Sequence, residues 1–177
     1  RSPYAHGSIR TIDVSEAKAA PGVLSVLTAA ELQEAGVNPL FCRLRLKNRD
    51  GTPMIRPDRP CLANEKVRYR GEAVAVVVAE TLAQAKDASE LIELDIEVLP
   101  AVTDAREALR DGAPQLHNEA ANNLGIDWEF GDGEEADRLF AAAHHVTRLT
   151  LRNNWIVIAP LEPRAAVGEY DPQTQRY

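Results

Sequence analysis

Between Val67 and Pro100 the sequence VRYRGEAVAVVVAETLAQAKDASELIELDIEVLP commits to a strand–helix–strand unit, and nothing else in the chain restricts the fold as strongly. A short extended piece, Val67 to Tyr69, leads to a turn at Gly71-Glu72. Ala73 to Ala79 is then an apolar run of strand length, as expected of a strand buried on both faces. Thr81 is placed to cap a helix, because its hydroxyl can accept an orphan N–H of the first turn. In that helix Leu82, Ala85, Ala88, Leu91 and Ile92 share one face, with Gln84, Lys86, Asp87 and Glu90 on the other. LDIEVLP follows, alternating Leu94, Ile96 and Val98 against Asp95 and Glu97, a half-buried strand closed by Pro100. The unit supplies a core and no reactive constellation.

Around it the remaining elements are shorter. Ser8–Val14 reads as a strand, Ser15 as the cap of the helical turn EAKAA, and Pro21-Gly22 as its end. Val23–Thr28 is a second strand. Thr28 with Glu31 forms a capping-box pattern that opens the helix AAELQEAG, with Gly36 at its C-terminal end. Residues 38–60 break the pattern with Pro39, Pro53, Pro57, Pro60 and Gly51, and LFCRLRL is the only strand-like piece there; a long loop of this kind is commonly functional, an interface arm, or disordered. Thr103-Asp104 caps the short helix AREALR, and QLHNEAANNLGI is extended and polar with Leu116 as its anchor. Ile126–Phe130 and His144–Arg152 read as strands, separated by a helix, EEADRLFAAA, that starts at Asp132 or Gly133 with acids in its first turn. Asp171-Pro172 begins a turn, after which QRY opens a strand the sequence does not finish. Helices and strands without regular βαβ alternation predict an α+β fold with a mixed sheet.

At 177 residues the chain is one large or two small domains. No apolar run approaches the roughly 18 residues of a membrane span, and RSPYAHGSIR has no signal-peptide core. Cys42 and Cys61, 19 positions apart, read as a reduced pair in a cytoplasmic protein. The net charge of −7 argues against nonspecific nucleic-acid binding. That charge is uneven: residues 1–60 carry nine basic and six acidic side chains, 61–110 six and ten, and 111–177 five and eleven. The basic excess sits in Arg43, Arg45, Lys47, Arg49, Arg56 and Arg59, either a solvated loop or a docking surface for an acidic partner.

Candidate chemistry is sparse. His144 and His145 are adjacent on an expected strand and so face opposite ways, which does not suit one shared metal ion. His6 and His117 lack His, Cys or acidic partners at ligand spacing, and Cys42 and Cys61 belong to no CxxC pair. Gly131-Asp132-Gly133 precedes a helix, but Asp132, Glu134 and Glu135 would repel a phosphate there, so capping is the better reading. Glu162, between two prolines and followed by Arg164, reads as a structural ion pair more readily than as a catalytic carboxylate. A small metalloenzyme using His144 and Cys42 is the weakest of the functional alternatives.

Taken together, RSPYAHGSI, PGVLSVLTAAEL, LANEKVRYRGEAVAVVVAETLAQAKDASELIELDIEVLPAVTD, PQLHNEAANN and APLEPRAAVGEYDP resemble, in order, segments of one family. It is the molybdenum-binding large subunit of the molybdenum hydroxylases, of the aldehyde oxidase, xanthine dehydrogenase and carbon monoxide dehydrogenase type. The LEPRAAVGEYD ending is most similar to the carbon monoxide dehydrogenase-like and small-aldehyde-oxidising branch. The resemblance implies an α/β hammerhead domain over residues 1–103. Residues 104–177 would be a connecting segment and the truncated start of the molybdopterin-binding domain. It implies hydroxylation of an aldehyde or heterocycle, or oxidation of carbon monoxide, with water as the oxygen source. The cofactor would be molybdopterin, in the form of its cytosine dinucleotide, with iron–sulfur clusters and FAD on partner subunits or domains. The family's glutamine-containing loop, glycine-rich cofactor segment and catalytic glutamate all follow the LEPR region. No catalytic, cofactor-binding or metal residue is therefore assigned within 1–177, and the chain alone is expected to be an inactive fragment. Glu162 and Arg164 match the family's EPR, which implies a structural role near the active-site wall, whereas Asn153-Asn154-Trp155 departs from the family's NNR. The alternative from another class is a stand-alone scaffold module that docks a partner through residues 38–60.

Overall fold

The computed structural model describes residues 1–151 and 169–176, in two compact units, Arg1–Gly131 and Asp132–Tyr177. In the first, β1 (Gly7–Asp13), α1 (Ser15–Ala19), β2 (Val23–Thr28) and α2 (Ala29–Glu34) precede the long 38–60 segment. Then come β3 (Lys66–Val67), β4 (Ala75–Ala79), α3 (Leu82–Glu90), β5 (Glu93–Val98) and α4 (Ala105–Ala108). The fold is α+β. Where a mixed sheet was expected, every pairing between described strands is antiparallel: β1 lies between β3 and β5, and β2 pairs with β4.

The strand–helix–strand reading holds for the elements and changes for their placement. β4 and β5 belong to different sheets, with α3 as the connection between them. α3 packs on β4 and β2 and against α1, and in β4 the half-buried Ala75, Val77 and Ala79 alternate with Val76 and Val78. Those two are 45% and 42% exposed, so the valine run is covered on one face, not on both. Within α3 only Ala88 is fully buried, and Leu82 at the first turn is 73% exposed. In β5 the expected alternation appears as buried Ile96 and half-buried Leu94, while Val98 is exposed. Ala63, Val67, Val74 and Ile96 form the core, with Ile9, Ile12 and Leu94 packed against it.

Helix starts follow local side-chain chemistry. The Thr28 hydroxyl accepts from Ala30 N–H while the Glu31 carboxylate accepts from Thr28 N–H, a complete capping box. Thr81 accepts from Gln84 N–H at the start of α3, and Asp104 accepts from Arg106 and Glu107 N–H at the start of α4. At α1 the expected cap is displaced: Ser15 is already helical, and Asp13 accepts both its N–H and its hydroxyl. The better-placed acceptor is the carboxylate, two residues upstream.

Residues 38–60 form a hairpin-like arm. Leu40 bridges to Arg59 and Lys47 to Pro53, with Met54 N–H donating to Leu46 O and Asn48 N–H to Thr52 O. Ile126–Phe130, expected as a strand, has no ladder of its own. It runs beside the arm instead: Ile55 N–H donates to Gly125 O, Arg49 N–H to Asp127 O, and Asp127 N–H to Asn48 Oδ1.

In the second unit, α5 (Gly133–Ala142) is capped by Asp132, which accepts from Glu135 N–H. The strand expected from His144 is absent: residues 145–151 carry no strand pairing. A strand exists only where a second backbone completes its ladder, and none among the described residues does so. Asp171 closes a turn on Arg176, accepting from Gln173 N–H and from the Thr174 hydroxyl. Asn153, Asn154, Trp155, Glu162 and Arg164 lie outside the described residues.

Candidate functional site

The polar interior is concentrated where the N-terminal segment crosses the Gly71-Glu72 turn. Ser2 N–H donates to Glu72 O and Gly71 N–H to Ser2 O, both at 2.8 Å, and the Arg1 guanidinium reaches Gly71 O. This exchange fixes the turn in which Gly71 takes φ +88°, a conformation open to glycine and costly to most residues. Ser2, His6 and Glu72 are the buried polar side chains of the described chain.

Each has a structural task. The Ser2 hydroxyl donates to Tyr4 O and accepts from Tyr4 N–H. The Glu72 carboxylate accepts the N–H of Arg68, and Arg68 in turn donates through Nε to Leu116 O at 3.0 Å. His6 Nδ1 lies 2.7 Å from Pro100 O. A carbonyl only accepts, so Nδ1 carries the hydrogen, and Nε2 has no hydrogen-bond partner among the described residues. His117 is half-buried; burial pushes its pKa down, and the Arg68 guanidinium acts the same way against weaker opposing effects of Glu119 and Glu72. These groups form a braced seam. No nucleophile stands beside a base in it.

The remaining candidates are dispersed. His144 and His145 are exposed, and His145 Nε2 lies 3.2 Å from the Thr147 hydroxyl. Cys42 and Cys61 are free, exposed thiols, as the reduced-pair reading expects. Gly131-Asp132-Gly133 serves as the cap of α5. A recess of about 340 Å³ between α2 and the base of the arm is lined by Leu32, Val37, Pro39, Pro60, Cys61 and Leu62 among others, with no charged side chain. Among the described residues, no group of three or more His, Cys, Asp or Glu could hold a metal ion, and no helix is long and apolar enough to cross a membrane.

Two features escaped sequence reasoning. Arg49 forks onto Asp127 and Glu129, at 2.8 and 3.4 Å, and so ties the arm to residues 127–129; at that separation in sequence no local signal exists. Asn123 binds Leu116 N–H, Ala108 O and Pro114 O through its side chain, with φ +56° beside Asn122 at +54°. The Asn-Asn pair was a usable signal, since asparagine enters the left-handed region more readily than other side chains.

Comparison with known proteins places this architecture. Residues 1–100 match the model described as "Aldehyde oxidase and xanthine dehydrogenase, a/b hammerhead domain". The nicotine 6-hydroxylase large subunit of Paenarthrobacter nicotinovorans is 36% identical over 175 residues, covering 97% of this chain and 20% of that subunit. The carbon monoxide dehydrogenase large chain of Afipia carboxidovorans is 34% identical over 184 residues, covering 97% and 21%. The chain thus spans about a fifth of the length of these relatives. Among solved structures, the reconstituted CO dehydrogenase from Oligotropha carboxidovorans superposes with a TM-score of 0.66 at 35% identity, over 82% of this chain and 18% of that one. The quinoline 2-oxidoreductase of Pseudomonas putida gives 0.54 at 40% identity, over 66% and 14%. The chain belongs to the aldehyde oxidase and xanthine dehydrogenase family of molybdenum hydroxylase large subunits, through its a/b hammerhead region.

Proposed function

We propose that Arg1–Tyr177 is the hammerhead-bearing stretch of a molybdenum hydroxylase large subunit that works in the cytoplasm. The complete subunit would hydroxylate an aldehyde or N-heterocycle, or oxidise carbon monoxide, with oxygen taken from water. The hammerhead would occupy residues 1–103, and residues 104–177 would lead into the molybdopterin-binding domain. The observation that carries this reading is the continuity of the likeness: identity to the nicotine 6-hydroxylase large subunit extends over 97% of the chain, well past the 100 residues of the hammerhead match.

The described residues offer no cluster of metal-ligating side chains, and the buried carboxylate, Glu72, is engaged by a backbone N–H. The molybdopterin cytosine dinucleotide would be held by parts of the complete subunit beyond this stretch. The role of this stretch is to fold and present a scaffold. Iron–sulfur and FAD subunits or domains would carry the electrons away.

Purified Arg1–Tyr177 is expected to contain no molybdenum by plasma mass spectrometry and to reduce no acceptor dye with aldehydes, N-heterocycles or carbon monoxide. Near-stoichiometric molybdenum would overturn the inactive-fragment reading. The larger assignment is tested on the coding sequence: a reading frame that continues past Tyr177 for several hundred residues with a glycine-rich cofactor segment supports it. A stop codon there would favour the scaffold module docking through residues 38–60.

A further inference from the structure

Residues 113–123, the strap that follows α4, are bonded chiefly to themselves and to α4. The Asn123 side chain closes the loop on Leu116 N–H, Ala108 O and Pro114 O. The Gln115 amide donates to His117 O and Asn118 O, and Ala120 N–H donates to His117 O. Among the described residues, one hydrogen bond joins this loop to the chain before α4: Arg68 Nε–H donates to Leu116 O at 3.0 Å. Just beyond the loop the anchorage is denser. Ile55 N–H donates to Gly125 O, Arg49 N–H to Asp127 O and Asp127 N–H to Asn48 Oδ1, and the Arg49 guanidinium meets Asp127 at 2.8 Å. The strap therefore has one end held by a single bond and one end fastened by several.

A titratable ring stands at the single-bond end. His117 directly follows the acceptor Leu116 and is half-buried. The charged groups that act on it are Arg68 from the chain after β3, Glu72 from the turn and Glu119 from the strap itself. The Glu72 carboxylate is already engaged by Arg68 N–H, and Glu119 is exposed, where water weakens its pull. A proton on His117 thus sets a second, incompletely hydrated cation beside the guanidinium that holds the strap. Burial and, after it, Arg68 hold the pKa of His117 below its ordinary 6.5, so the closed strap disfavours a proton that the open strap accepts. Closure is favoured in full above about pH 6.5 and weakens as pH falls below it. Every group involved lies within Arg1–Gly131.

We propose that the Arg68–Leu116 bond is a latch released by a proton on His117, the strap opening at Leu116 and pivoting on the fastened stretch 125–127. The bond is made by a side chain whose own backbone is pinned by Glu72, so the turn stays in place when the strap leaves it. The latch concerns how the chain after α4 is held against the turn, and it is independent of the catalytic reading of the complete subunit.

Nitrogen-15 NMR on Arg1–Tyr177 tests it, reading the exchange of Arg68 Nε–H with water as a protection factor against a free arginine peptide at the same pH. Between about pH 7.5 and about pH 5.5 that protection should fall, by at most about tenfold per pH unit for a single proton. The fall should follow the titration of the His117 imidazole resonances, measured in the same samples. The amides of Ile55 and Asp127, at the pivot, and those of β1 and β5 should keep their protection throughout. His117→Gln, which removes the proton site, should hold the Arg68 protection constant across the range. Protection that does not change with pH overturns the proposal, as does a fall that departs from the His117 titration or that persists in His117→Gln. A simultaneous loss at Ile55 or in β5 would also overturn it, because the strap would then be following general unfolding. Should His117→Gln fold poorly, the match between the two wild-type curves still decides.

Discussion

At the scale of single residues, the capping box at α2 turns a sequence pattern into a pH response. Glu31 accepts from the Thr28 hydroxyl, from Lys18 Nζ at 2.9 Å and from Thr28 N–H, and these contacts, led by the Thr28 hydroxyl, hold its pKa down from 4.5 to about 2. A carboxyl group whose folded value lies below its unfolded one stabilises the fold above the unfolded value, and that contribution is lost as pH falls toward the folded one. Stability should therefore decline from about pH 4.5 to about pH 2, and Glu31→Gln should flatten the decline in urea titrations across that window. Thr28→Ala should cost about 1 kcal/mol at neutral pH; equal pH profiles for wild type and Glu31→Gln would show that the box does not persist in solution. Gly7 makes a different demand. A Cβ there would collide with the Ile96 side chain and reach Glu97 O at 3.0 Å, so Gly7→Ala should destabilise by about 1–3 kcal/mol through overpacking. Gly36, at φ +72° with open space around it, isolates the other cost: Gly36→Ala should lose about 1–2 kcal/mol from backbone conformation alone. An unchanged midpoint for Gly7→Ala would mean that β1 and β5 do not approach this closely.

Elements were legible in the sequence to the extent that their determinants are local. Thr28, Thr81, Asp104 and Asp132 all cap as read, because an N-cap is decided within three residues. Ser15 does not cap, because Asp13, two residues earlier, takes both its N–H and its hydroxyl. The β4 valines could not disclose that their second face is uncovered, since that depends on where α3 lands. The strands expected at 126–130 and 144–152 have the alternation but no ladder partner among the described residues. Pairing also explains the arm, whose proline-rich limbs gave one strand-like piece and yet meet at Leu40–Arg59 and Lys47–Pro53. The most testable element is the strap after α4. The Asn123 side chain closes it on Leu116 N–H, Ala108 O and Pro114 O. Asn123→Ala removes all three bonds and is expected to cost about 1–3 kcal/mol, with faster hydrogen exchange at Leu116. Asn123→Asp keeps the acceptor for Leu116 and loses both donors, so it should protect Leu116 while remaining destabilised. Equal exchange in both variants would mean that the strap is held by something else.

For the whole molecule, the absence of a nucleophile–base pair in the buried seam and the family match together separate folding from chemistry. The candidates read from the sequence are dispersed: His6 braces Pro100, His117 sits beside Arg68, and His144 and His145 are exposed. The seam that does unite polar groups holds Arg1 and Ser2 to the Gly71-Glu72 turn, a contact no local pattern announces. The distribution of the core makes one more outcome calculable. Every buried apolar residue of the described chain, from Ala17 to Ala120, lies in the unit Arg1–Gly131. α5 has none, with Leu139 and Phe140 55% and 65% exposed. Burial of apolar surface is the main favourable contribution to folding, so Arg1–Gly131 produced alone should fold with the same urea midpoint as Arg1–Tyr177. Its amides in β1, β4 and β5 should exchange at unchanged rates. Asp132–Tyr177 alone should show little protection at α5, because a helix of ten residues is marginal in water without packing. A large loss of midpoint in Arg1–Gly131 would show that residues beyond Gly131 complete the hammerhead core, and the boundary between fold and connecting segment would move with it.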